Sequence, residues 1–71
     1  MDRTADTRYL QIAHGLAEAV RQGGLARGQR LPSVRETARQ HGVAVTTAVQ
    51  AYRWLEDEQL IEARPRSGFF V

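Results

Sequence analysis

The stretch from Pro32 to Leu55 constrains this chain more tightly than any other. Ser33-Val34-Arg35-Glu36 has the form of a capping box, in which the serine hydroxyl accepts from a backbone N–H three residues on and the glutamate reaches back to the serine N–H. A helix begun there runs to about His41 and stops at Gly42, because glycine closes a helix in the left-handed conformation at little steric cost. After Gly42-Val43-Ala44 a new start falls near Val45, and Ala48, Ala51, Tyr52 and Leu55 then share one face at helical spacing. Two short helices joined through a glycine-containing hinge form a helix-turn-helix, spanning about residues 33–58.

Elements on either side complete a small domain. From Tyr9 onward, Ile12, Ala13, Leu16, Ala17 and Val20 recur at spacings of three and four, predicting a helix apolar on one side, capped by Asp6 or Thr7 and ended by Gly23-Gly24. Residues 25–32 have turn formers and little periodicity, so they read as a loop in which Arg30-Leu31 forms one short extended piece. Pro32 disfavours helix at Leu31. Beyond Glu58 the period changes: residues 60–64 and 69–71 are rich in strand formers, with Pro65, Ser67 and Gly68 between them, as in a hairpin. The predicted fold is mainly α with a small β wing. It comprises three helices, a short strand and a two-stranded hairpin over about residues 60–71, a winged helix-turn-helix that fills residues 1–71 as one domain.

Seventy-one residues without cysteine give a single small core, held without disulfides or thiolate-bound metal. The composition agrees with a reducing cytoplasm, the polar N-terminus Met1-Asp2-Arg3-Thr4-Ala5-Asp6 is unlike a secretory signal, and no apolar run approaches the roughly 20 residues that cross a bilayer. A cytoplasmic location with no membrane partner is expected. An enzyme is not expected: Ser33 has no basic partner at a motif spacing, the glycines form no phosphate-binding loop followed by lysine, and the chain has little room for a water-excluding pocket. His14 and His41 stand in different elements with no ligand cluster near them, which argues against a metal.

The formal charge of +2 becomes informative once divided along the chain. Residues 1–20 carry −1, residues 21–55 carry +5 and residues 56–71 carry −2, and all ten basic residues are arginine. A positive middle suits phosphate, and equally the solvated faces of a small helical protein. Helical geometry turns Thr46, Gln50 and Arg53 away from the apolar face of the third helix. Threonine can meet phosphate or a thymine methyl, glutamine can pair with adenine, and arginine can reach phosphate or guanine. Arg35 and Arg39 lie one turn apart on the preceding helix, placed either to reach the DNA backbone or a base edge or to interact with Glu36 and water, and Arg64 and Arg66 flank Pro65 at the hairpin tip, where a wing meets the minor groove or phosphates. Glu56-Asp57-Glu58 keep the far end of the third helix away from phosphate, as insertion by its N-terminal half requires. Arg27 and Arg30 need no role beyond solubility. The rival reading is a protein-interaction module in which Trp54, half-buried against the hairpin or the first helix, docks a partner together with exposed Val45 and Val49.

Residues 24–35, Gly-Leu-Ala-Arg-Gly-Gln-Arg-Leu-Pro-Ser-Val-Arg, followed by His41-Gly42-Val43-Ala44-Val45-Thr46-Thr47, resemble the DNA-binding domain of GntR-family bacterial transcription regulators. Gln50-Ala51-Tyr52-Arg53-Trp54-Leu55-Glu56 and the ending Ile61-Glu62-Ala63-Arg64-Pro65-Arg66-Ser67-Gly68-Phe69-Phe70-Val71 are similar to the MocR subgroup. The resemblance implies operator DNA as partner, bound by a homodimer of the full-length regulator. Within the MocR subgroup it also implies an effector domain outside this chain, aminotransferase-like and binding pyridoxal phosphate. By position it implies DNA contacts from Ser33 and Arg35 in the Leu-Pro-Ser-x-Arg motif, Thr46 and Thr47 at the start of the recognition helix, and Ser67 and Gly68 at the wing tip. Many members carry serine then arginine where this chain has Ala44 and Val45, and arginine where it has Val49. The departure implies a missing helix cap and more reliance on Arg35, Gln50, Arg53, Arg64 and Arg66.

Overall fold

The computed structural model describes residues 3–71, with side chains from Arg8 onward. Helices α1 (Arg3–Arg21), α2 (Val34–His41) and α3 (Val45–Asp57) precede strands β1 (Glu62–Arg64) and β2 (Gly68–Phe70). The strands form an antiparallel hairpin in the register Glu62↔Phe70, Ala63↔Phe69, Arg64↔Gly68. Arg30 makes an isolated antiparallel bridge to Phe70, and Leu31 N–H donates to Phe69 O at 2.8 Å, so the expected short extended piece lies beside β2. Three helices and an antiparallel wing are the winged helix-turn-helix read from the sequence. No helix among the described residues is long and apolar enough to cross a membrane.

Local chemistry departs from expectation at three places. α1 already runs through Asp6 and Thr7 back to Arg3, so neither residue is the expected cap, and their side chains lie outside the described ones. Ser33 does cap α2, its Oγ accepting from Glu36 N–H at 3.1 Å, but Glu36 does not complete the box. Its carboxylate instead accepts from Arg39 Nη2 at 2.8 Å, a charged partner one turn away that is worth more than a neutral amide. β1 is shorter than the strand-forming stretch 60–64, and β2 keeps the expected length but begins one residue early, at Gly68. Leu60 is drawn into the exit from α3, its N–H donating to Leu55 O at 3.0 Å while Gln59, at φ 61°, donates to Glu56 O at 2.9 Å. The same pair of bonds closes α2, where Gly42 at φ 65° donates to Arg39 O and Val43 to Ala38 O.

α3 is the central element, packed on α1 along one side and on α2 along another. Ala13, Ala17, Ala48 and Ala51 are at most 1% exposed, and side chains this small let the helices approach closely. Tyr52 and Leu55 then fill the centre, with Ile12, Leu31 and Ile61 around them. Burial of Leu55 alone contributes about 2 kcal/mol. The Tyr52 ring meets Phe69 edge-to-face at 4.9 Å, which ties the wing to α3. On the opposite flank Trp54 meets His14 of α1 in the same geometry at 5.2 Å.

Candidate nucleic-acid interface

α3 begins at Val45 with Ala44 in the capping position and no side-chain cap, as the Ala44 substitution implied. Its first-turn N–H groups are therefore unclaimed by a side chain, at the end where the helix dipole is positive. Val45, Thr46, Gln50 and Arg53 are exposed along this helix. Thr47 and Val49 are half-buried at the margin of that row, because each lies beside the apolar face rather than opposite it. The rival interaction surface loses Val49, which is not exposed as that reading required. Trp54 is half-buried against α1, as expected, and Val45 at 44% is the one exposed large hydrophobic among the described residues.

Ser33 and Arg35 stand at the N-terminal end of α2 and are exposed. Arg35 has no carboxylate partner among the described residues, whereas Arg39 is held by Glu36. The orientation of this end against α3 rests on a polar node that the sequence did not reveal. Tyr52 donates its hydroxyl proton to Pro32 O at 2.6 Å and lies 2.8 Å from Thr37 Oγ1. With its one proton committed to Pro32, the tyrosine oxygen accepts from the threonine. Burial raises the Tyr52 pKa above the usual 10.0, the Thr37 hydrogen bond opposing that rise in part. Nothing local marks Thr37 within a short polar helix, and its partner lies 15 residues on, beyond the reach of local pattern.

The wing carries the remaining candidates. Arg64 is occupied on two sides, its Nε donating to Glu62 Oε2 at 2.7 Å and its guanidinium carbon lying 4.4 Å over the Phe70 ring. Ser67 N–H donates to Arg64 O at 3.0 Å, closing a turn with Pro65 and Arg66 at its centre. Arg66 sits at φ 66°, a conformation unfavourable for a side chain, and is exposed. Ser67 is exposed and Gly68 is half-buried at φ 109°. The candidate residues thus fall into a helical set (Ser33, Arg35, Thr46, Thr47, Gln50, Arg53) and a wing set. Tyr52 anchors both, through its hydroxyl to Pro32 and through its ring to Phe69.

The sequence profile described as "Bacterial regulatory proteins, gntR family" matches residues 8–71. Escherichia coli K12 YjiR, described as an uncharacterized HTH-type transcriptional regulator, is 49% identical over 65 residues, 92% of this chain and 14% of that protein. Among solved structures, a transcriptional regulator from Oenococcus oeni superposes with a TM-score of 0.85 at 36% identity, covering 89% of this chain and 52% of that one. The DNA-binding domain of AraR, solved in complex with operator ORR3, superposes with a TM-score of 0.84 at 27% identity over 89% of this chain and 76% of that one. The chain spans only 14% to 50% of the length of the first curated relatives it matches.

Proposed function

The chain belongs to the gntR family of bacterial regulatory proteins, and on that premise we propose that it serves as the sequence-specific DNA-binding domain of a transcription regulator. α3 enters the major groove by its N-terminal half, and the wing lies against the minor groove or the backbone. The observation that carries this reading is the exposed row Val45, Thr46 and Gln50 in the uncapped, acid-free first half of α3, continued toward the middle of the helix by Arg53. The acidic residues Asp57 and Glu58 stand at the other end. Thr46, Thr47 and Gln50 read base edges, Val45 suits a thymine methyl, and Arg53 reaches a phosphate or guanine. Ser33, Arg35, Arg64, Arg66, Ser67 and Gly68 flank them from α2 and the wing. The full-length regulator acts in the cytoplasm as a homodimer on an operator with two half-sites. Titration of isotope-labelled protein with duplex DNA at two salt concentrations tests the interface. Shifts confined to α2, α3 and the hairpin, fading as salt rises, support it, and absence of shifts at low salt refutes it. Selection from a random duplex library tests specificity, which fails if no sequence is enriched.

The wing ending Ser67-Gly68-Phe69-Phe70-Val71 favours the MocR-like subgroup within the family. A relative as long as YjiR, of which this stretch is 14%, has length for a large effector domain. The pyridoxal phosphate of such a domain does not fit the residues present here. The chain has no lysine, the side chain that holds this cofactor as a Schiff base, so any such site belongs to another segment.

A further inference from the structure

From sequence alone Arg30 needs no role beyond solubility, but its surroundings give it a defined place. The bridge to Phe70 and the flanking bonds Leu31 N–H to Phe69 O (2.8 Å) and Val71 N–H to Gln29 O (2.9 Å) fix its backbone beside β2. Leu31 is 3% exposed, so alternation sends the Arg30 side chain to the outer face of the wing. There, still exposed, it reaches along β2 toward the hairpin turn. A Cβ added at Gly68 would stand 3.2 Å from Arg30 Nε, 3.5 Å from Nη2 and 3.7 Å from Cζ. The bare glycine is the seat on which the guanidinium rests. Across the same strand, Arg64 pairs with Gly68 in register, so two guanidinium groups flank β2 on one face. Glu62 is the nearby carboxylate and it is committed to Arg64, while Arg30 has no carboxylate within 4.0 Å among the described residues. Two guanidinium groups on one face of the wing with one counter-charge leave a site for an anion.

We propose that Arg30 is a backbone-phosphate ligand of duplex DNA, seated on Gly68 so that the outer face of the wing binds a phosphodiester oxygen. This rests on the DNA-binding reading above and adds a contact to it. Gly68 then acts by admitting the guanidinium rather than by touching DNA itself.

The test is the salt dependence of binding by the 71-residue chain to a mixed-sequence duplex of about 20 base pairs, followed by fluorescence anisotropy. Arg30→Met keeps the apolar stem and removes one ion pair. The slope of log affinity against log salt should fall by about 0.9, and the wild-type advantage should shrink about threefold between roughly 50 and 200 mM salt. Arg30→Lys should retain the slope, because a point charge still meets phosphate. Arg21→Met, which removes a charge paired with Glu18 at the end of α1, should leave the slope unchanged. An unchanged slope in Arg30→Met with wild-type binding intact overturns the phosphate contact and spares the DNA-binding reading. Equal losses in Arg30→Met and Arg30→Lys would make the guanidinium a packing element of the wing and also overturn it. An equal loss in Arg21→Met would reduce the effect to net charge. Absence of wild-type binding at low salt removes the reading and the contact together.

Discussion

Replacing Tyr52 by phenylalanine deletes one oxygen and keeps the ring, so the edge-to-face contact with Phe69 survives and only the polar node is lost. Two groups then lose a partner. The Pro32 carbonyl belongs to an exposed residue and can turn to water, which limits its share to about 0.5–1 kcal/mol. Thr37 is 2% exposed, and its stranded hydroxyl costs about 1–2 kcal/mol. Tyr52→Phe should therefore destabilise the domain by about 2 kcal/mol, lowering Tm by roughly 10 °C at this size. Thr37→Val alone should cost about 1 kcal/mol, since Tyr52 still donates to Pro32. The double variant has no hydroxyl left to strand, and should be no less stable than Tyr52→Phe. Urea unfolding followed through the single tryptophan, Trp54, measures all three against wild type. Energies that simply add, to within about 0.3 kcal/mol, would refute the shared hydrogen bond, and a neutral Tyr52→Phe would refute the node altogether.

Three further outcomes follow from single residues. The folded-state pKa of Tyr52 lies above its unfolded value near 10.0, so folding retains a proton that the unfolded chain releases. The Tyr52 contribution to stability should be constant and fully present below that pH and be lost as the pH rises above it. With no lysine titrating in the same range, Tyr52→Phe should flatten the decline measured by alkaline urea melts. Gln59 and Gly42 hold nearly the same left-handed conformation at equivalent helix ends, and a Cβ at Gly42 meets nothing within 4 Å. Gln59→Gly should thus stabilise, and Gly42→Gln destabilise, by about 0.5–1 kcal/mol each in thermal melts, the side-chain strain outweighing glycine's entropy. Arg35→Ala should weaken binding to a library-selected operator by about 1–3 kcal/mol and to random DNA by less, in parallel binding isotherms. Equal losses would reduce Arg35 to a phosphate contact.

The helices were legible because each announces itself locally, through the Ser33 cap, the Gly42 stop and the spacing Ala48, Ala51, Tyr52, Leu55. The exposed row on α3 followed from the same spacing by rotation. What escaped is non-local. Thr37 looks like one more polar residue of a short helix until Tyr52 is brought against it. Glu36 is a local exception, since Ser33 and Arg39 both lie within a turn of it and the charged partner outcompetes the amide. Arg30 looked idle because Gly68, which seats it, lies 38 positions along the chain. The start of α1 was misjudged because a helix can pass through Asp6 and Thr7 as well as begin at them.

The exposed row of α3 has a consequence for how such a domain changes over generations. Val45, Thr46, Gln50 and Arg53 lie outside the buried set that holds the helix in place, Ala48, Ala51, Tyr52 and Leu55. Exchanging an exposed member costs the fold within about 0.5 kcal/mol. On the proposed reading, duplicated copies of the gene can drift toward new target sequences through intermediates that all fold. The same separation makes those four positions a natural library for selecting new specificities on an unaltered scaffold.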